Sequence, residues 1–357
     1  MGKPKTLHQF LTGATQGDAI TDHAFVIRRW LREMGFDSDI YALHIHPGVK
    51  NEVRPMAAYH PGKREPWVIY HHSVGSEVVE YLQSQALRLI LIHHNVTPPQ
   101  FFARIDPAWV ERARQGERQL TILRTQTDLA LADSEFNALD LQAAGYRETA
   151  VLPITLPQEQ YNLPLNQQLA AEMQQNGPNL LFVSRLAANK RQEDLVKLLY
   201  YYHHIQPNAR LILVGDRWTI QYDKWVESLA ADLGLADHVI LTGKVSQQEM
   251  VTYYQTADLY VSMSEHEGFG KPLIESMYLG LPILAFASTA VPYTMGQTGV
   301  MFYQKDYEQL AELVDILITD LPLRQRIITR QKQRVQAFLE PQVRMLFQSY
   351  LAQLFHD

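Results

Sequence analysis

The sequence predicts an α/β protein with two Rossmann-like, doubly wound domains that face a cleft. Short apolar segments typical of strands alternate along the chain with segments whose apolar residues recur at helical spacing. A connector rich in Pro, Gln and Asn, at about residues 153–178, separates two such alternating halves. The length of 357 residues exceeds one typical domain and suits two of moderate size, each able to bury a core.

Six strands are predicted in the first half, at residues 7–11, 38–44, 67–70, 87–92, 129–132 and 150–152. A helix is predicted at residues 18–34, because its apolar residues recur at the spacing of one helix face. These residues are Ala24, Ile27, Trp30 and Leu31. A last helix is predicted at residues 341–355, after a break at Pro341.

Composition excludes several kinds of site. With zero cysteines, the chain has no disulfide, no thiolate nucleophile and no zinc–cysteine site. The formal net charge of −6 argues against nucleic acid as a partner. No apolar stretch is long enough to cross a bilayer, and no secretory signal is visible at the N-terminus, so a cytoplasmic protein is expected.

The segment at residues 262–275 carries the most chemical information. It follows a stretch rich in strand-forming residues, at 257–262, and leads into a predicted helix at residues 272–280, with proline at its first position and glycine at its last. Gly268 and Gly270 let the backbone approach a ligand closely, and the N–H groups of a helix start attract an anion.

Two carboxylates stand eight positions apart in this segment. Glu267 lies in the glycine loop, and Glu275 falls about one turn inside the helix, where it could accept hydrogen bonds from paired hydroxyls. An anion site with two hydroxyl acceptors suits a nucleotide sugar, which has a diphosphate, a ribose and a hexose. The alternative is an ordinary strand-to-helix loop of a parallel α/β protein, with acidic residues that offset the helix dipole.

The segment resembles the Glu-x7-Glu signature of the family 4 retaining glycosyltransferases, which have the two-Rossmann-domain GT-B fold. The resemblance continues in the family's order through a strand and phosphate-binding loop at residues 180–194 and strands at 209–216, 239–245 and 280–286. It implies an N-terminal acceptor-side domain at residues 1–157 plus 341–357 and a nucleotide-sugar-binding domain at residues 158–340. It also implies that the last helix returns to the N-terminal domain.

By this resemblance, Arg185 and Lys190 hold and neutralise the leaving diphosphate without a metal ion. Glu275 accepts from the ribose hydroxyls, and Glu267 accepts from a sugar hydroxyl. The other implied donor-binding residues are Gly17, Gly215, Lys244, Val245, Gly268, Phe269, Gly270, Lys271, Leu273 and Ile274. For the glycines between the first strand and first helix, a plain tight turn is an equal alternative.

Two positions depart from the family pattern. Ser184 stands before the loop arginine, where the family usually has glycine, and this small residue still permits close packing. Tyr293 replaces the glutamate of a Pro-Glu pair that commonly follows the strand after the signature helix. The second change removes any role of that glutamate but leaves the predicted donor site intact.

Two pairs of histidines each follow a hydrophobic strand, at the carboxyl ends where open α/β sheets bind ligands. The resemblance implies that His93 lies near the donor sugar and reaction centre, with His94 as the alternative one residue away. His71, His72 and His94 are expected on the acceptor side. Each of the four could instead be a structural histidine. No metal site is expected, because adjacent histidines on a strand point in opposite directions.

The sequence therefore predicts a retaining enzyme that moves a hexose from a nucleoside-diphosphate sugar to a glycan or lipid-linked glycan in polysaccharide biosynthesis, without a cofactor. A UDP-hexose is favoured over GDP-mannose as the donor. The alternatives are a nucleotide-sugar epimerase or hydrolase of the same fold and a non-catalytic nucleotide-sugar sensor. The basic first helix, with Arg28, Arg29 and Arg32, fits either peripheral contact with the inner face of a membrane or a solvated helix face.

Overall fold

The structure is a computed structural model that describes residues 5–62, 67–85, 87–103, 105–175, 177–217 and 219–355. The chain divides into two compact units. Unit 1 comprises Met1–Thr155 and Pro341–Asp357, and unit 2 comprises Leu156–Glu340.

The strands, in chain order, are β1 (Gln9–Ala14), β2 (Ile40–Ile45), β3 (Arg54–Pro55), β4 (Trp67–His72), β5 (Arg88–His93), β6 (Thr127–Ala132), β7 (Thr149–Val151), β8 (Asn179–Val183), β9 (Arg210–Val214), β10 (Val239–Gly243), β11 (Leu259–Ser262), β12 (Ile283–Phe286) and β13 (Val300–Phe302). The helices are α1 (Ala19–Glu33), α2 (Val78–Ser84), α3 (Pro107–Leu123), α4 (Glu135–Ala143), α5 (Gln167–Gln174), α6 (Gln192–Tyr202), α7 (Ile220–Asp232), α8 (Gln247–Thr256), α9 (Lys271–Leu279), α10 (Val291–Met295), α11 (Tyr307–Thr319), α12 (Leu321–Arg334) and α13 (Glu340–Leu354).

The described strands of each unit form one parallel sheet, in the order β3-β2-β1-β4-β5-β6-β7 in unit 1 and β10-β9-β8-β11-β12-β13 in unit 2. The strand order reverses between β1 and β4 in the first sheet and between β8 and β11 in the second. Ligands of open α/β sheets bind beyond the carboxyl ends of the strands at such a reversal. The predicted class of two Rossmann-like, doubly wound units is confirmed.

The unit 1 sheet is covered on both faces, because successive side chains of a strand point to opposite sides. Residues such as Tyr70 and Leu91 pack on one face with buried residues of α2 and α3. Ile69 and Ile92 pack on the other face with α1 and with α13, whose Phe347 is fully buried there. The last helix therefore packs on the sheet of unit 1, as the sequence predicted.

Two predictions about the elements need correction. The proposed connector at residues 153–178 contains a helix, α5, which Asn166 caps by accepting from the Leu169 N–H and which buries Ala170 and Met173. Its polar composition hid this short amphipathic pattern. The predicted strand at residues 67–70 extends two residues further, so that His71 and His72 end β4 instead of following it.

Gly215, a predicted donor residue, has a packing role at the end of β9. Its φ is +146°, and a Cβ atom there would collide with the carbonyl of Ser184 at the end of β8. This conformation and this close approach both require glycine.

We expect Gly215→Ala to lower the free energy of unfolding by on the order of 3 kcal/mol, because backbone strain adds to the collision. Gly234→Ala is the matched control, because Gly234 has φ +72° and open space around its Cβ position. That control should cost about 1 kcal/mol. Chemical denaturation of both variants measures the difference, and equal losses would contradict the packing role.

Candidate active site

The strand-order reversal of unit 2 brings together the loops that follow β8 and β11. After β8 come Ser184 and Arg185, whose side chain is exposed. The loop then makes a 3-10 turn, Ala188–Lys190, before Arg191 adopts a left-handed conformation with φ +56° ahead of α6. One short loop at the carboxyl end of β8 therefore carries both predicted phosphate-binding cations.

Asn189 fastens this loop to the loop after β11. Its carbonyl accepts hydrogen bonds from the Glu265 N–H at 2.9 Å and from Ser264 Oγ at 3.2 Å. Its side-chain amide donates to the His266 carbonyl at 3.1 Å. Because Asn189 is buried, these bonds hold the two loops in one arrangement. Asn189 was not among the predicted site residues, although an asparagine inside a ligand-binding loop is a signal for such bonding.

The two loops also meet through an ion pair between predicted site residues. Lys190 Nζ lies 2.6 Å from Glu267 Oε1, and the side chains are 21% and 14% exposed. Thr289, in the loop after β12, holds the backbone of Glu267 from both sides. Its hydroxyl accepts from the Glu267 N–H at 2.8 Å and donates to the Glu267 carbonyl at 2.9 Å. A third loop thus fixes the position of this carboxylate.

Glycines set both ends of α9. Gly270 precedes the helix with φ +86°, and Gly280 follows it with φ +79°. The helix begins one residue before the predicted start and ends one residue before the predicted end, with Gly280 as its C-cap. The predicted donor residues Phe269, Leu273 and Ile274 are buried in unit 2, so they can offer a ligand their backbone but not their side chains.

Glu275 is buried, with 7% of its surface exposed, and two tyrosines hold its carboxylate. Tyr161 donates its hydroxyl to Oε1 at 2.5 Å, and Tyr254 donates to Oε2 at 2.6 Å. Burial, together with the nearby Glu275 charge, raises the pKa of Tyr254 well above its usual value, which keeps the phenol a donor. The ammonium of Lys271 lies 4.0 Å from Oε1. Neither tyrosine was among the predicted site residues.

A second buried carboxylate, Asp194 on α6, stabilises the loops that follow β8 and β11. Burial raises its pKa, but hydrogen bonds from Lys305 and Arg191 outweigh this and hold the pKa at about 2. Lys305 Nζ lies 2.8 Å from both Asp194 and Glu265, and Tyr307 donates to Asp194 at 2.9 Å. This network ties the start of α6 to the loop after β11. No local sequence pattern indicates Lys305, which lies 111 residues from Asp194.

The other predicted donor residues lie on neighbouring strand ends. Gly215 follows β9, and its N–H donates to the Gly243 carbonyl at the end of β10. Lys244 and Val245 follow β10, with Lys244 exposed. Gly17, with φ +80°, lies in the turn between β1 and α1 of unit 1.

The four predicted site histidines, His71, His72, His93 and His94, separate into two sets by strand alternation. His71, His94 and also Asp133, after β6, continue the sheet face that packs on α1 and α13. His72 and His93 continue the face that packs on α2 and α3, and they are adjacent in the β4–β5 register. All four imidazoles are buried. The sequence analysis did not predict the part played by Asp133.

Three contacts link the first set into a chain. His71 Nε2 lies 2.9 Å from Gln9 Oε1, His71 Nδ1 lies 2.9 Å from His94 Nε2, and His94 Nδ1 lies 3.2 Å from an oxygen of Asp133. The amide nitrogen of Gln9 donates to the Ala24 carbonyl at 3.0 Å, which turns the amide oxygen toward His71. His71 Nε2 therefore donates to Gln9, and His71 Nδ1 accepts from His94 Nε2.

Counting hydrogens locates one more in this network. Three contacts need three hydrogens, whereas two neutral imidazoles carry two. The third lies between His94 Nδ1 and the carboxyl group of Asp133, which is 2% exposed. Asn137 also donates to Asp133. Both ring nitrogens of His94 thus have partners inside unit 1.

The second set has a different surrounding. His93 Nδ1 lies 3.1 Å from His72 Nδ1, and His93 Nε2 faces Asp140 Oδ2 at 3.6 Å. The side chain of Asp140 is 42% exposed and accepts from Asn95 at 3.0 Å. Through Asp140, the imidazole of His93 lies beside a carboxylate that reaches solvent.

In the residues that the structure describes, no group of three or more His, Cys, Asp or Glu side chains is arranged to hold a metal ion. No described helix is both long and apolar enough to span a bilayer. Two arginines of α1 have acidic partners: Arg28 lies 2.6 Å from Glu52, and Arg32 lies 2.9 Å from Asp39. This pairing favours the solvated helix face over lipid contact for these two residues.

Residues 168–334 match the family model for glycosyl transferases group 1. The predicted resemblance to these glycosyltransferases is confirmed. Among curated relatives, a GDP-mannose-dependent alpha-(1-6)-phosphatidylinositol monomannoside mannosyltransferase of Mycobacterium tuberculosis is 29% identical over 152 residues, which are 40% of this chain and 39% of the relative. A GDP-mannose:cellobiosyl-diphosphopolyprenol alpha-mannosyltransferase of Xanthomonas campestris is 34% identical over 110 residues, 30% of this chain and 29% of the relative.

The chain thus spans about two-fifths or less of the length of these two relatives. The fold likeness extends further. The crystal structure of HepE from Anabaena, in complex with UDP and glucose, superposes with a TM-score of 0.79 at 17% identity, over 98% of this chain and 100% of the other. The fold is therefore the GT-B fold.

The buried histidines make the stability of the protein depend on pH. Burial, with a smaller contribution from neighbouring histidines, lowers the pKa of His71 and His72 well below 6.5. Both stay neutral in the folded protein, whereas the unfolded chain protonates them below about pH 6.5. The unfolded state then binds more protons, so stability falls as the pH falls.

We expect a loss of about 1.4 kcal/mol per pH unit for each of these histidines between pH 6 and 5. Asp194 adds its own loss only below about pH 4, the usual range of an unfolded carboxyl. His71→Gln should reduce the slope, while His60→Gln, at an exposed position, should leave it unchanged. Urea denaturation from pH 7.5 to 5 measures the slope, and an unchanged slope in a folded His71→Gln variant would refute the assignment.

Proposed function

We propose that this protein is a metal-independent, retaining hexosyltransferase that uses a nucleoside-diphosphate hexose as donor and a glycan or lipid-linked glycan as acceptor. The observation that carries the proposal is the 2.6 Å ion pair between Lys190 and Glu267 at the strand-order reversal of unit 2. It joins a cation suited to a leaving diphosphate to a carboxylate suited to a sugar hydroxyl. The family match at residues 168–334 includes both side chains.

The proposed transfer exchanges one bond at the anomeric carbon. The bond to the diphosphate oxygen breaks, and its electron pair leaves with the nucleoside diphosphate. The acceptor oxygen bonds to the same carbon on the same face, and its proton passes to the departing phosphate oxygen. Arg185 and Lys190 stabilise the charge that grows on that phosphate, and such stabilisation accelerates a reaction because it is strongest in the transition state.

Donor binding would exchange the partners of the ion pair. The diphosphate would replace Glu267 beside Lys190, and Glu267 would accept from a hexose hydroxyl. Because both side chains are partly buried, leaving either charge without a partner would be costly. The exchange keeps both charged groups paired in the free and bound proteins.

The donor is proposed at the level of a nucleoside-diphosphate hexose. The two mannosyltransferase relatives use GDP-mannose according to their names, whereas the HepE structure contains UDP and glucose. The expectation of a UDP-hexose therefore competes with GDP-mannose. Both relatives act on lipid-linked acceptors by name, which supports a lipid-linked glycan as the acceptor class here.

A thermal-shift panel of UDP, GDP, ADP and their hexose conjugates tests donor binding first. A ligand at 100 times its dissociation constant adds about 2.7 kcal/mol of stability. Turnover with the best binder and a lipid-linked oligosaccharide then distinguishes the functions: a transferase forms a glycoside, an epimerase interconverts donors, and a sensor releases no nucleoside diphosphate. Proton NMR of the product reports its anomeric configuration, and binding of no member of the panel would refute the proposal.

We expect Arg185→Ala and Lys190→Ala each to reduce turnover by roughly a hundredfold or more, with a smaller effect on folding. Lys224→Ala, at an exposed lysine of α7 in the same unit, is the charge-matched control and should retain activity. Steady-state kinetics with and without EDTA is the measurement. Near-normal rates in the two site variants, together with EDTA-sensitive activity, would indicate a metal-dependent mechanism instead.

His93→Ala should reduce transfer by roughly a hundredfold or more while nucleotide affinity stays nearly unchanged. His94→Ala should act mainly on stability, with a loss of about 3 kcal/mol, because it leaves the buried carboxyl group of Asp133 without one of its hydrogen-bond partners. Transfer, nucleotide affinity and melting are measured for both variants. If the His93 variant is folded and transfers normally while the His94 variant is folded but inactive, then His94 lies at the reaction centre and His93 does not.

A further inference from the structure

The carboxylate of Glu275 is held by an arrangement that stability alone does not explain. Both of its oxygens accept short hydrogen bonds from phenols, Tyr161 at 2.5 Å and Tyr254 at 2.6 Å. The ammonium of Lys271 forms an ion pair with the carboxylate at 4.0 Å, but it lies outside hydrogen-bonding distance. A buried anion whose cation is this distant is unfavourable, and a neutral amide of the same shape would bury more easily. The site therefore retains an acceptor with full charge at a cost to stability.

Three separate segments converge on this carboxylate. Glu275 lies on α9, Tyr254 lies on α8, and Tyr161 follows a 3-10 turn near the start of unit 2. The ring of Tyr161 packs edge-on against Tyr278 of α9, whose hydroxyl donates to Asn162 at 2.9 Å. The phenols are therefore fixed by their own packing, and they fix the plane of the carboxylate in turn.

A carboxylate has about four lone-pair positions on its two oxygens. The two phenols occupy one position on each oxygen, so that each oxygen keeps one for a further donor. Two neighbouring hydroxyls on a five-membered ring present two donors at matching separation. The geometry favours a vicinal diol as the ligand of this carboxylate over a single hydroxyl or a cation.

We propose that Tyr161 and Tyr254 are positioning residues that orient Glu275 toward the 2′- and 3′-hydroxyls of the donor's ribose. This inference rests on the proposed function and goes beyond it, because it assigns ribose selectivity to two residues outside the signature segment. Removing one phenol would let the carboxylate rotate. The protein would then lose preference for ribose over 2′-deoxyribose more than it loses affinity for the nucleotide as a whole.

The test is calorimetry with a nucleoside diphosphate and its 2′-deoxy counterpart, using UDP with dUDP and GDP with dGDP. We expect the wild-type protein to bind the ribonucleotide about tenfold or more tightly than the deoxynucleotide, as a hydrogen bond to a charged acceptor would give. Tyr161→Phe should reduce this ratio to about threefold or less, with the affinity for the deoxynucleotide changed less than about twofold. Tyr254→Phe should behave likewise.

Tyr278→Phe is the matched control, because it removes a phenol hydroxyl from the same cluster without touching Glu275. It should keep the wild-type ratio. Glu275→Gln should lose the ratio and melt no lower than the wild-type protein, which separates the role of the carboxylate in binding from a role in folding. Melting curves establish that each variant is folded.

Several results would overturn the inference. A wild-type ratio in folded Tyr161→Phe and Tyr254→Phe would show that the phenols do not orient the carboxylate. An equal loss of affinity for the ribo- and deoxynucleotides would show a structural role only. A wild-type protein that binds both forms alike would refute ribose recognition while leaving the transferase proposal standing, whereas failure to bind any nucleoside diphosphate would refute the proposed function itself.

Discussion

The parallel strand order of the unit 2 sheet is the constraint on which the candidate site depends. Because the strands run in one direction, the loops that follow them emerge at the same edge, and the reversal between β8 and β11 sets two of these loops side by side. Residues far apart in sequence, such as Lys190 and Glu267, can then meet at 2.6 Å. Asn189 and Thr289 hold the backbone on either side of this contact. The strand order thus brings the two side chains together, and their opposite charges then form the ion pair.

Three buried carboxylates show how differently the fold satisfies the same chemical group. Asp194 pairs with three cations, Arg191, Lys197 and Lys305, and hydrogen bonds from Lys305 and Arg191 hold its pKa at about 2 although burial acts in the opposite direction. Asp133 has a histidine ring and an asparagine amide. Glu275 has two phenols, which orient the carboxylate, and the ammonium of Lys271 lies 4.0 Å away. Bonded cations, as at Asp194, stabilise a buried carboxylate most. Phenols, as at Glu275, leave its oxygens able to accept further hydrogen bonds.

Much of the fold could be predicted from the sequence because it depends on local pattern. Apolar runs indicated most of the strands, and proline and glycine indicated the start and end of α9. Contacts between side chains that are far apart in the sequence could not be predicted. Tyr161 contacts Glu275 across 114 positions and Lys305 contacts Asp194 across 111, and no local pattern encodes such pairs. Short edge strands such as β13, with three residues, also lie below the length at which periodicity is informative.

Strand alternation gives the choice between His93 and His94 a physical meaning. The two residues lie on opposite faces of the unit 1 sheet, so a register shift of one residue exchanges two unlike environments. On one face, His94 shares its proton with a carboxylate that is 2% exposed, and its other nitrogen donates to His71. On the other face, His93 lies beside Asp140, whose side chain is 42% exposed. An imidazole whose nitrogens both have partners inside unit 1 has no position left for a substrate. His93, with Nε2 3.6 Å from Asp140, is therefore the better candidate of the two for the proposed chemistry.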